Sequence, residues 1–255
     1  MCAIFGTIGK ADLDLVKKIS TTQIYRGPDE QNFFVSDDSL VTLGSNRLSV
    51  IDKANGKQPM LSNNNRFLTI FNGCIYNFNE IKNFLKSKKI NFKTNSDTEV
   101  VANSYEYFGK ECFNYFDGMW AIAIYDKEKK DIILSRDYVG QKPLFYAKNR
   151  DYYIFSSQLN GVIVDEKISL NISKNNLKKY FAYSYIPAPY TIFDNIFQVE
   201  PGQNLIINSE SLNCKIDKYW DFKNGPDYNT FFKKSNSQDF KENFDEIISF
   251  ITIAI

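Results

Sequence analysis

The feature that most limits the fold of this chain is how short its β-type runs are, and how regularly turn chemistry interrupts them. Residues 3–8, 32–35, 40–43, 48–51 and 67–71 are rich in β-branched and aromatic side chains and are each too short for a stable helix. The last of them runs into Asn72-Gly73, a pair that suits a strand-ending turn. Residues 119–125 and 132–136 flank the charged turn 127–130 and read as a hairpin. Runs 145–147 and 152–156 continue the pattern, and 204–207 with 212–219 forms a second hairpin. Four helices interrupt it. Residues 12–25 place Leu13, Val16, Ile19 and Ile24 roughly on one face, and 75–88, after its first residues, does the same with Phe78, Ile81 and Leu85. Ser96-Asp97-Thr98-Glu99 has capping-box spacing and opens a helix that runs through Phe108 to Gly109. A short helix at 174–183 precedes the Pro187-Ala188-Pro189 bend. Short strands in hairpins with helices between them predict an α+β fold of largely antiparallel sheets.

Composition narrows the function classes. A chain of 255 residues with 43% hydrophobic and 16% aromatic content can fill a sizeable core. Its formal net charge is +1, with both signs interspersed, so neither nucleic acid nor a membrane surface is an expected partner. No apolar run approaches the roughly 18 residues of a membrane span, and Lys10 and Asp12 come too early for a signal peptide. Cys2, Cys74, Cys112 and Cys214 show no CxxC spacing and no histidine accompanies them, so no metal site is expected. Such scattered thiols fit a reducing, cytoplasmic setting. No glycine-rich phosphate loop is present.

The absence of histidine bears directly on catalysis. It rules out a Cys-His dyad, a Ser-His-Asp triad and a His-ligated zinc. Cys2 offers another route. Once the initiator methionine is removed, a terminal cysteine carries a thiol and an α-amine a few bonds apart. The amine, with an intrinsic pKa of about 7.7 to 8.0, can accept the thiol proton directly or through one water.

Three further positions could hold a substrate. Arg47 offers a fixed, always-charged fork for a carboxylate, or is a strand-edge surface charge. Asn72 and Gly73 offer a side-chain amide and an unhindered backbone N–H to an oxyanion, or merely close a strand. Asp97 could pair with a substrate ammonium, and as an acid in a helix's first turn it is also favoured by the macrodipole. A nucleophile, a carboxylate clamp, an ammonium partner and oxyanion donors together describe a site for an α-amino acid attacked at its side-chain carbonyl. Glutamine fits that description.

Ordered blocks then carry a resemblance. MCAIFG (1–6), RGPD (26–29), RLSVID (47–52), QPM (58–60) and NGCIYN (72–77) are followed by SDTEV (96–100), DGMWA (117–121), SRDYVGQKPLF (135–145) and YIPAPYTIFDNIFQVEPG (185–202). The chain resembles the class II glutamine amidotransferase domain of the glutamine-hydrolysing asparagine synthetases over residues 2–220. The resemblance implies an N-terminal nucleophile hydrolase fold, four αββα layers with two antiparallel sheets between helices. It implies Cys2 as nucleophile with its own amine as base, and Asn72 and Gly73 as the oxyanion hole. Glutamine would be held by Arg47, by Leu48, Ser49, Val50 and Ile51, by Asn72, Gly73 and Cys74, and by Asp97. Residues 221–243 would then be a polar linker and 244–255 the opening of a truncated synthetase-type domain. That domain, or a partner subunit, would receive the ammonia, and ATP and Mg2+ would be needed only there, with no cofactor in this segment. A homodimer is left open.

The sequence departs from the family pattern at four places. Tyr25, and Ser45-Asn46, stand where the family commonly has histidine; Cys74 replaces the glutamate of an NGE tripeptide, and Gln158 replaces another glutamate. The loss of an acid at Cys74 bears on glutamine affinity. Two other readings stay beside the synthetase one: an amidotransferase of surface-polysaccharide biosynthesis, and a catalytically silent domain used in regulation or assembly.

Overall fold

The structure, a computed structural model, describes residues 1–221; the sequence readings beyond them, most of the linker and the final helix, lie outside the described residues. Two six-stranded sheets form the centre. The first runs, edge to edge, through Ile196–Gln198 (β10), Phe145–Lys148 (β8), Tyr153–Ser156 (β9), Ala3–Ile8 (β1), Val41–Arg47 (β3) and Glu30–Val35 (β2). The second runs through Cys214–Lys218 (β12), Gln203–Asn208 (β11), Asp131–Arg136 (β7), Gly118–Asp126 (β6), Phe67–Ile75 (β5) and Met60–Leu61 (β4). Every strand pair is antiparallel.

Period-two alternation sorts each strand into two cores. In β1, Ile4 and Ile8 turn towards the second sheet, where Leu68, Ile70, Ala121, Ala123 and Leu134 meet them. Ala3 and Phe5 point the other way, onto Val16 and Ile19 of Leu13–Thr22 (α1) and Val162 of Leu159–Ile163 (α4). In the second sheet Phe71, Ile75, Trp120 and Ile122 face outward. There they bury Ile81 and Leu85 of Phe78–Ser87 (α2) and Val100 and Val101 of Asp97–Phe108 (α3). The result is the expected four-layer αββα sandwich. A fifth helix, Lys174–Tyr183 (α5), is capped by the Ser173 hydroxyl accepting from the Asn176 N–H. No helix among the described residues is long and apolar enough to cross a membrane.

Four local expectations need correction. Residues 48–51 are not a strand, because β3 ends at Arg47 and the carbonyls of Ile51, Asp52 and Lys53 are taken by the Arg47 guanidinium instead of a ladder. Asn72-Gly73 does not end a strand. β5 continues to Ile75, with Asn72 opposite Ala121 and Gly73 opposite Trp120. Ser96 caps α3 by accepting from the Thr98 N–H at 3.2 Å, but Glu99 does not close the box. Its carboxylate instead accepts from the N–H groups of Lys93 and Thr94 and from the Thr94 hydroxyl. The last strand begins at Cys214 rather than Leu212, which sits at φ 57° in the preceding turn. The short elements β4, α4 and β10 were not read from the sequence, since none is long enough to show a period.

Candidate active site

Cys2 stands immediately before β1, half-buried, facing the loop that follows β3. Its Sγ accepts from the Leu48 N–H at 3.4 Å and lies 3.8 Å from the Leu48 carbonyl. The Nε of Arg26 donates to the Cys2 carbonyl at 3.0 Å. Arg26 Nη2 and Lys142 Nζ both approach the Met1 sulfur, at 4.0 and 3.3 Å. Burial pushes the Cys2 thiol up from its ordinary pKa, opposed by the Leu48 backbone, the nearby chain terminus and Arg47.

The thiol opens into a cavity of about 240 Å³. Its walls bring together Cys2, Arg47, Leu48, Val50, Ile51, Asn72, Gly73, Cys74 and Asp97 from four separate stretches of chain. Ser49 is the one expected residue not on the wall; its N–H donates to the Asp29 carboxylate at 2.7 Å and holds the loop from behind. Residues that sequence reasoning had left unassigned also line the cavity, among them Met1, Gln58, Thr98, Met119 and Lys142. All five lie in the quoted blocks, which by themselves give none of them a role.

Each wall has a local cause. Arg47, at 3% exposure, bonds Glu30 at 2.8 Å and the three loop carbonyls, so its two terminal nitrogens already hold protein acceptors. It is first of all the pin that folds residues 48–53 into a cavity wall. Gly56 lets that loop close, since a Cβ there would lie 2.6 Å from Arg47 Nη2. Gly73 lets β5 approach β6, since its Cβ would lie 2.1 Å from the Met119 carbonyl oxygen.

Two wall residues each hold a buried polar atom with no hydrogen-bond partner among the described residues: Asn72 Nδ2 and Asp97 Oδ2. Ten other buried side-chain atoms of the described residues share this state, so it is the place of these two on the cavity wall with Cys2 that marks them as candidates for a ligand. Burial pushes the Asp97 carboxyl up to about 6, against the pull of the backbone N–H groups of Ile75, Thr98 and Asp97 itself and of Arg47. Cys74 is half-buried and its thiol is also raised, by burial and then by Asp97, with Lys142 acting in the opposite sense. Among the described residues no cluster of three or more His, Cys, Asp or Glu could hold a metal. The arrangement can seat a cation at Asp97 and a carbonyl oxygen at Asn72, beside a thiol.

Two departures from the family pattern prove to be partners: the Tyr25 hydroxyl donates to Gln158 Oε1. Where the family pattern has a histidine and a glutamate, this chain places an uncharged pair.

A family model described as a glutamine amidotransferase domain matches residues 1–220. A protein of Methanocaldococcus jannaschii named putative asparagine synthetase [glutamine-hydrolyzing] 2 is 34% identical, the match covering 92% of this chain and 48% of that protein. Asparagine synthetase [glutamine-hydrolyzing] 1 of Bacillus subtilis is 33% identical over 82% of this chain and 34% of its own length. The chain thus spans about half, or less, of the length of these relatives. Among solved structures, the glutamine phosphoribosylpyrophosphate amidotransferase of B. subtilis superposes with a TM-score of 0.61 at 20% identity, covering 86% of this chain and 49% of that one. It shares the N-terminal nucleophile hydrolase fold. The chain belongs to the glutamine amidotransferase family.

Proposed function

We propose that this chain hydrolyses glutamine to glutamate and ammonia, as the ammonia-supplying part of a glutamine-hydrolysing asparagine synthetase. The observation that carries the reading is the pair of orphaned atoms, Asn72 Nδ2 and Asp97 Oδ2, on one cavity wall with Cys2. An acceptor for an ammonium and a donor for a developing oxyanion are what an attacked glutamine leaves unfilled. The relatives' names support aspartate as the ammonia acceptor. That amidation belongs to a synthetase domain or subunit, which would use ATP and Mg2+. The glutaminase step itself needs no cofactor.

In this mechanism Met1 is removed and the freed α-amine of Cys2 takes the thiol proton. The Sγ–carbon bond forms at the side-chain amide, and the oxygen gains charge against Asn72 Nδ2 and the Gly73 N–H. Each such donor contributes roughly 10²–10³ in rate. The intermediate collapses as the protonated amine hands its proton to the leaving nitrogen, releasing ammonia and leaving a thioester. Water, deprotonated by the same amine, adds to the thioester, and glutamate departs with the thiol restored. Asp97 holds the substrate ammonium, while Arg47 supplies positive charge and presents the backbone of residues 48–51.

Cys2→Ala tests the reading. It is expected to abolish glutamate release while leaving the melting temperature within about 2 °C of wild type, a surface-level change in stability. A glutamine-mimicking alkylator should label Cys2 in the parent. Normal glutamate release by the variant, or a label on another side chain, overturns the proposal.

A further inference from the structure

Gln58 is buried at 5% exposure on the cavity wall, yet it is neither nucleophile nor oxyanion donor. Its side-chain amide makes three bonds. Nε2 donates to the Phe71 carbonyl at 2.9 Å, Oε1 accepts from the Phe71 N–H at 2.7 Å, and Nε2 also reaches Thr98 Oγ1 at 3.3 Å. The first two reproduce the bond pair that a neighbouring strand would give. The register of β4 on β5 pairs Leu61 with Leu68 and Met60 with Thr69, and continuing it sets Gln58 opposite Phe71. The backbone has left the sheet by that point, and the side chain completes the ladder in its place. The amide orientation is fixed by the network, because only one assignment of O and N satisfies both groups of Phe71.

The neighbours of these partners give the bond set its meaning. Phe71 precedes Asn72 on β5, and Thr98 follows Asp97 at the start of α3. One buried amide therefore ties the strand carrying the oxyanion donors to the helix carrying the ammonium acceptor. A third element is joined as well, since the Ser45 hydroxyl of β3 donates to the Gln58 carbonyl at 3.3 Å.

We propose that Gln58 is a positioning residue that sets the separation between Asn72 and Asp97, so that ammonium and scissile carbonyl of one substrate are held at once. The inference deepens the glutaminase reading and rests on it for its kinetic consequences. Losing the Thr98 bond loosens the ammonium end only; losing the whole amide loosens both ends. Misplacement on the order of 1 Å can cost about 10²-fold in rate.

The test compares Thr98→Val, which is near-isosteric and removes one bond, with Gln58→Leu, which removes three, and with the double variant. Glutaminase kcat and KM are measured on the full chain with Met1 removed, together with the rate of Cys2 alkylation by iodoacetamide and hydrogen exchange at the Phe71 amide. Thr98→Val is expected to raise KM about 3- to 10-fold with kcat within about 2-fold. Gln58→Leu is expected to raise KM by at least that factor and to lower kcat about 10-fold or more. The double variant should match Gln58→Leu, and alkylation of Cys2 should not change in any of them. A Gln58→Leu protein with wild-type kcat and KM but a lowered melting temperature would make the residue an ordinary structural bond and overturn the proposal. So would single effects that simply multiply. Should Gln58→Leu fail to fold, Thr98→Val decides alone, an unchanged KM being the overturning result. Should the parent hydrolyse no glutamine, the glutaminase reading falls by itself. The tie is then decided by exchange at the Phe71 amide, which Gln58→Leu should speed and Thr98→Val should leave near the parent rate; unchanged exchange in Gln58→Leu overturns it.

Discussion

Asp97 shows at the scale of one residue what burying a carboxylate costs. Its carboxyl is 5% exposed and its pKa is pushed up to about 6, mainly by burial, whereas an unfolded aspartate titrates near 3.9. A raised pKa means that the folded protein binds the proton more tightly than the unfolded chain does. The stability this group confers is thus complete below about pH 4 and is lost as pH rises through about 6, amounting to about 3 kcal/mol. Asp97→Asn should accordingly raise the unfolding free energy of the ligand-free protein at pH 8 by about 2–3 kcal/mol in urea titrations, and should abolish any stabilisation that glutamine gives the parent. In the parent, kcat/KM for glutamine should fall as pH drops through about 6, because the protonated acid no longer pairs with an ammonium. Cys74 is the second residue to test. Restoring an acid there with Cys74→Glu adds a charge-assisted acceptor on the cavity wall, so KM for glutamine should fall about 3- to 10-fold in steady-state assays.

At the scale of the element, β5 carries the most consequence. Its far end holds the oxyanion candidates, and that end exists as strand because β6 runs alongside it and Gly73 has no side chain to obstruct the Met119 carbonyl oxygen. Gly73→Ala should push the strands apart and cost about 1–3 kcal/mol in chemical denaturation, with loss of glutaminase activity exceeding the loss of fold. The loop after β3 has the opposite character, since it carries no ladder and takes its shape from the Arg47 guanidinium and from Asp52. The Asp52 carboxylate accepts from the N–H groups of Asn55 and Asn95, and these bonds draw its pKa down. Apolar residues at 48–51 suggested a strand because hydrophobicity there serves a cavity wall rather than a sheet face. Periodicity cannot distinguish the two in so short a run.

For the whole molecule, the layer between the sheets is where the fold is won. Ile70 is fully buried there among Ile4, Leu43 and Ala123. Ile70→Ala should cost about 2–5 kcal/mol, lowering the midpoint for both sheets together, whereas replacing Ile216 on the outer edge strand should change stability by about 0.5 kcal/mol or less. Circular dichroism and tryptophan fluorescence during unfolding would check both. Part of this architecture was legible in the chain: short β-rich runs marked β1, β5 and β6 and an apolar face marked α1, because local periodicity is fixed by backbone geometry, while the four layers followed from the family resemblance. The missing histidine likewise ruled out imidazole chemistry and left the amine of Cys2 as the expected base. What the sequence could not encode in any local pattern was which distant groups meet. Tyr25 and Gln158, 133 residues apart, become partners. Arg47 spends its terminal nitrogens on its own loop, and a glutamine side chain stands in for a strand beside Asn72. Those outcomes depend on packing two sheets and two helical layers at once, and only the tertiary structure decides them.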